Sequence, residues 1–240
     1  MENISGEETA RLLRRFGTVR TVPKGTLLSG KEAYWLLGGI CALTCVNESG
    51  SQYSFLYFHR NMLFGFVPVL GRYYRMNRLV DVRASRSFSG FMAKTDCSVI
   101  ELPANAFLSE ITRDREVLSV VLRAAVVNLA DMLNHSMVIA SLPVPCRVCY
   151  MLLEACPEEE PYLLPAYLNY DEIAAHLGVH VITVTSQKTQ FPLPVKRLPA
   201  RFFFHSPRPR LGFCVFSPLS PRLFFRFCHF FHANLVMARV

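Results

Sequence analysis

The residues of this chain that could do covalent or metal chemistry are eight cysteines and seven histidines. Cys146-x-x-Cys149, with Cys156 close behind, is the group whose spacing invites a metal. On a helix, thiols at i and i+3 share one buried face, and no nearby histidine completes a tetrahedral set. No metal site is expected, and no cofactor. His59 is the only histidine in the region that reads as strands, so a cupin-like metal enzyme lacks its clustered ligands. No nucleophile–base pair is visible, and the chain is not expected to be an enzyme. Scattered cysteines fit a reducing cytoplasm better than a disulfide framework.

The second kind of chemistry is recognition of a duplex. Residues Leu168 to Thr185 have the pattern of two short helices around a turn. Ile173 and Leu177 are four apart and share a helix face. Ala174 is small enough for a close helix crossing, and Gly178 suits a turn that needs φ > 0. Val179, Ile182 and Val184 then restart an apolar pattern. In a helix-turn-helix of this kind the second helix enters the DNA major groove. The helix must stop before Pro192, because proline costs about 3 kcal/mol inside a helix.

These residues need elements to position them. Residues 16–102 read as short strands between turns: Val19 to Val22, Tyr34 to Leu37, Ile40 to Val46, Gln52 to Phe58, Val80 to Ala84 and Ser98 to Leu102. Asn47 to Gly50 is the turn of a hairpin, and Gly38-Gly39 marks a turn or bulge. Such spacing suggests a sandwich or barrel. From 113 to 140 the period changes. Leu118, Leu122, Ala125, Leu129, Met132, Ser136 and Ile139 alternate by four and three, the seam of a coiled coil. A helix of about 25 residues would span close to 37 Å. Its seam either meets a second copy of the chain or packs on the preceding β domain, and the first reading is preferred. Cys146 to Cys156 is another helical run, with Val148, Met151, Leu152 and Ala155 on one face.

The net charge of +8 on 240 residues points to an acidic partner only until it is located. Nine of the 26 basic residues lie in 186–240, which holds no Asp or Glu, so the rest of the chain is nearly neutral. That same segment holds eleven of the 19 phenylalanines and seven of the 15 prolines. It shows neither helix nor strand period. It resembles translation in a wrong reading frame from near Thr185 or Ser186, the alternative being an extension that binds acidic surfaces. Met1 to Arg15 is polar and charged, without a signal-like apolar stretch. No run approaches the ~18–20 apolar residues a membrane span needs, so no membrane partner is expected.

Taken in order, a β-roll, a long helix and a helix-turn-helix resemble the Crp/Fnr family of bacterial transcription regulators. Thr21 to Leu28 looks like that family's opening strand and turn, and Ala93 to Leu102 like the strand ending its nucleotide pocket. The resemblance covers roughly 16–185. It implies an α+β chain: a β-roll effector-sensing domain at 1–112, a dimerisation helix at 113–140, a truncated winged-helix-type DNA-binding domain at 141–187, and an atypical tail at 188–240. It also implies a homodimer, double-stranded DNA as partner, and a small-molecule effector.

The family's cyclic-nucleotide binders use a Gly-Glu pair for the ribose and an Arg-Ser pair for the cyclic phosphate, because an anion wants a guanidinium fork and N–H donors. Here Phe64-Gly65-Phe66 and Ser87-Phe88 stand at those places. Arg86 falls one residue early, and a one-residue slip in a strand turns a side chain to the other face. The residues argue against cyclic AMP. Phe64, Gly65, Phe66, Ser87 and Phe88 mark either a more apolar effector pocket or simply roll core. There is no cysteine before Cys41, so an N-terminal iron–sulfur cluster is not supported. By family position Val181, Ile182 and Ser186 would face base edges, and His180, Thr183 and Thr185 phosphates. Val and Ile can touch only thymine methyls, and His180 also suits a helix cap. The preferred reading is a sequence-specific DNA-binding transcription regulator. The competing one is a ligand- or protein-binding sensor module that has lost DNA binding.

Overall fold

A computed structural model describes residues 5–46, 52–76, 88–155 and 165–186. The expected strand at Val80 to Ala84, Cys156 and the tail beyond Ser186 lie outside them. Two compact units are present: Met1–Ser141 with Ala174–Val179, and Leu142–Ile173 with His180–Val240.

The first unit opens with α1 (Gly6–Leu13), set by a capping box. Ser5 Oγ accepts from the Glu8 amide at 3.2 Å, and Glu8 Oε2 accepts from the Ser5 amide at 2.7 Å. Those two contacts satisfy donors that a helix start otherwise leaves open. Eight strands follow: β1 (Thr18–Val22), β2 (Leu27–Leu28), β3 (Ala33–Gly38), β4 (Cys41–Val46), β5 (Gln52–Phe58), β6 (Leu63–Phe64), β7 (Phe88–Ala93) and β8 (Cys97–Leu102). They form two antiparallel sheets, ordered β1-β8-β3-β6 and β2-β7-β4-β5. The β4–β5 hairpin, β3 and β8 stand where the apolar alternation and turn residues place them. The register of β3 on β8 shifts between Leu36 and Gly38.

Successive side chains of a strand point to opposite faces, and β3 and β8 of the first sheet are largely buried on both. On β3, Tyr34 and Leu36 face the interior between the sheets, while Ala33 and Trp35 face the helices. On β8, Cys97 and Val99 point inward and Ile100 and Leu102 outward. A sheet covered on both sides reads in sequence as a continuous apolar run, as Ala33 to Leu37 does. The helical layer is α1, α2 (Phe66–Tyr73), α3 (Ala104–Arg113) and α4 (Arg115–Ser141). Asp114 separates the last two. Its Oδ1 accepts from the Glu116 amide at 2.9 Å, an N-cap for α4, and its Oδ2 pairs with Arg15 at 3.2 Å.

α4 is 27 residues long. Val117, Val120 and Val121 are buried against α1 and the sheet. The opposite face carries Leu118, Leu122, Val126, Leu129, Met132, Leu133 and Met137, between 38 and 59% exposed. An amphipathic helix normally buries its apolar stripe; α4 has two, and one of them is open.

The second unit begins with α5 (Val144–Ala155). Pro145 sits in its first turn, where a missing N–H costs nothing. Val148, Met151 and Leu152 form its buried face.

Candidate nucleic-acid interface and effector pocket

Two helices flank Gly178: α6 (Tyr170–Leu177) and α7 (Val181–Ser186). Asn169 caps α6, its Oδ1 accepting from the Glu172 amide at 2.8 Å. Asp171 and Glu172 occupy the first turn and His176 the last, each favourable to the helix dipole. Ile173, Ala174 and Leu177 are buried. Gly178 has φ +63°, and a Cβ there would meet nothing within 4 Å. Glycine is needed for its backbone angle rather than for space.

His180 caps the start of α7. The His180 Nδ1 accepts from the Ile182 amide at 3.2 Å, and the His180 carbonyl accepts from the Thr183 amide at 2.9 Å. The ring is thus engaged in capping. Val184 is 3% exposed, and α7 packs on α5. Ile182 stands 66% exposed on the outer side. Val181, Thr183 and Thr185 are half-buried, and the Thr185 hydroxyl donates to the Ile182 carbonyl at 3.2 Å. Ser186 ends the helix. Residues 181–186 include no basic side chain.

Of the effector residues expected from sequence, Phe64 lies in the interior between the sheets and Phe66 on the helix-facing side. Phe64 is fully buried in an aromatic cluster, with ring centroids 5.3 Å from Tyr34, 4.9 Å from Phe58 and 5.2 Å from Phe91. Phe66 is 3% exposed at the start of α2. Gly65 has φ +77°, and a Cβ there would lie 2.6 Å from the Glu32 carbonyl oxygen. Phe64 thus packs among neighbouring rings, and Gly65 makes a tight strand-to-helix turn. Phe88 pairs with Cys45 as the first residue of β7, and Ser87 lies outside the described residues.

Of the seam residues, Leu118, Leu122, Ala125, Leu129, Met132 and Ser136 are exposed. Ile139 is instead half-buried and lines a cavity of about 480 Å³ in the first unit, with Cys45, Phe55, His135 and His176. His176 Nδ1–H donates to the Ser54 carbonyl at 2.8 Å, which fixes its tautomer. Its ring lies 4.4 Å from that of His135 and 4.9 Å from that of Tyr57. His135 also meets Phe55 edge-on at 5.3 Å. Burial pushes the His135 imidazole below its usual range and the Asp131 carboxyl above its own. Sequence reasoning passed over this histidine pair, since no spacing rule links residues 41 positions apart.

The thiols of the roll are structural. Burial, with Cys97 nearby, pushes Cys41 up to about 12, and burial also raises Cys97. Both remain protonated near neutral pH, when a metal ligand or nucleophile would need the thiolate. Among the described residues no group of three His, Cys, Asp or Glu is placed to hold a metal ion. No described helix is long and apolar enough to cross a membrane.

The first unit is an eight-stranded roll carrying a long helix, and two further helices flank Gly178. No protein-family model matches the chain, and no curated protein matches it in sequence. Solved structures do. CLP of Xanthomonas campestris, described as a c-di-GMP responsive global regulator, is 13% identical with a TM-score of 0.61, over 78% of this chain and 92% of its own. A CRP/FNR-family transcriptional regulator from Thermus thermophilus is 22% identical, TM-score 0.56, over 73% and 86%. FixK2 from Bradyrhizobium japonicum is 15% identical, TM-score 0.54, over 73% and 84%. The chain has the fold of Crp/Fnr-type transcriptional regulators.

Proposed function

We propose that this chain is a homodimeric transcription regulator of the Crp/Fnr type that binds duplex DNA through α7 and responds to a small effector. The observation that carries the reading is α7 itself. It is set off by a positive-φ glycine, anchored by buried Val184 and exposes Ile182, in a chain with this fold. Ile182, with Val181, would read thymine methyls in the major groove. Ser186 would face a base edge, and Thr183, Thr185 and the His180 end of the helix would hold phosphates. The open stripe of α4 would pair with its copy in a partner chain, giving the two-fold symmetry that half-site recognition requires. An effector that shifts α4 would then reposition both reading helices, a coupling between distinct sites. Cyclic AMP is not the proposed effector, and the reading is of a non-enzyme in the cytoplasm.

Fluorescence anisotropy of the full chain on a random-sequence duplex library, as a function of salt, tests this. Binding with a log–log salt slope of several units supports the reading. Its absence at low salt favours the second reading, a sensor module without DNA binding. That alternative has its own supporting observation: residues 181–186 carry no positive charge.

A further inference from the structure

The cavity of about 480 Å³ in the first unit falls within the ~300–1,000 Å³ typical of small-molecule sites. β4, β5, α4 and the last turn of α6 all contribute to its wall. No Asp, Glu, Lys or Arg is among the lining residues. Rings supply much of the surface. Phe55 and His135 meet edge-on with centroids 5.3 Å apart, and the His176 ring tilts against His135 at 4.4 Å. Ile139, Ala140 and Leu177 add an aliphatic floor. His176 is held by the Ser54 carbonyl. His135 makes ring contacts only, and neither of its nitrogens has a hydrogen-bond partner among the described residues. Burial lowers its pKa, so the imidazole is neutral near neutral pH and offers one donor and one acceptor.

A ring-lined space without charge, holding one open imidazole, suits one chemistry. We propose that this cavity binds an uncharged fused-ring aromatic molecule that carries a hydroxyl. The hydroxyl donates to the unprotonated nitrogen of His135. The aromatic body lies against Phe55 and His176 in the offset or edge-on geometry that such rings prefer, and its far edge rests on Ile139 and Leu177. A charged ligand would lose its hydration here and meet no counter-charge. The position differs from the one expected from sequence, since Phe64, Gly65 and Phe66 do not line it.

The full chain is titrated with 2-naphthol in a calorimeter, with 2-naphthoate and 2-naphthylmethylamine as charged controls of similar size. Saturable binding of 2-naphthol, and binding of both controls weaker by about tenfold or more, is the expected result. His135→Phe keeps a ring in the wall and removes the hydrogen bond, so it should weaken 2-naphthol about fivefold. Ala140→Phe, at an exposed position of α4, fills the space and should abolish binding with an unchanged circular dichroism spectrum. Absence of saturable 2-naphthol binding, the result if a second copy of the chain fills the space, overturns the proposal. So does comparable binding of either charged control. An unchanged affinity in either variant also overturns it, because the ligand would then sit elsewhere, as on the open stripe of α4. No arm involves DNA, so the outcome is independent of the regulator reading.

Discussion

Replacing Leu122 and Leu129 together by glutamate should dissolve the proposed dimer while leaving the protomer folded. The two leucines are 59 and 56% exposed on the open stripe of α4. Fully burying a leucine is worth about 1.5–3 kcal/mol, so covering the remaining half of each is worth about 1–1.5 kcal/mol. A two-fold interface uses both residues twice, which makes about 5 kcal/mol in all. At 1.4 kcal/mol per tenfold, the dimer dissociation constant should rise by roughly three to four orders of magnitude. Apposed carboxylates in a desolvated seam add to that. Within one protomer the same side chains face solvent, and surface changes away from special features stay within about 0.5 kcal/mol. Sedimentation velocity over a wide concentration range measures the first effect, and thermal unfolding by circular dichroism the second. Equal self-association of variant and wild type would refute the reasoning, as would a wild type that stays monomeric at every concentration.

Three further predictions follow from the same geometry. Gly178→Val should destabilise the helix-turn-helix by about 1–2 kcal/mol through the left-handed backbone alone, since no atom lies within 4 Å of an added Cβ; Gly178→Asn should recover most of that in denaturant unfolding. Ile182→Glu should leave the melting temperature nearly unchanged, because the side chain is 66% exposed, yet cost tenfold or more in DNA affinity by anisotropy, at about 1–3 kcal/mol per lost base contact. Burial lowers the His135 pKa, so its stabilising contribution is intact above the unfolded value near 6.5 and is lost as pH falls through the folded value. The melting temperature should therefore decline from about pH 6.5 downward, and His135→Phe should flatten that decline; a variant with the wild-type slope would show that His59, whose pKa burial also lowers, accounts for it.

Much of the fold was legible in the residues. The β4–β5 hairpin follows from alternation around Asn47 to Gly50, and α4 from a four-three spacing that Arg115–Ser141 carries as a single helix. α6 and α7 fall on either side of Gly178, where the expected turn is. What escaped had conflicting local signals. Pro68 and Gly71 read as helix breakers, but Pro68 lies in the first turn of α2, where its missing N–H costs nothing. Gly90 interrupts the alternation of β7 and hid the strand. α1 did have a readable signature in Ser5-x-x-Glu8 ahead of Ala10, Leu12 and Leu13. The site was less legible than the fold. Phe64 and Phe66 carry the same sequence signal whether they line a pocket or fill a core, and spacing alone does not separate the two. The contact of His135 with His176 depends on long-range packing that no spacing rule encodes.

The central claim, that paired copies present α7 to duplex grooves, is tested most directly by selecting the bound fraction of a random duplex library on the purified full chain and sequencing it. The account predicts a two-fold symmetric site, with A·T-rich half-sites centred about one helical turn, ~34–36 Å, apart. Enrichment of a single unsymmetric site, or of no sequence at all, would contradict it.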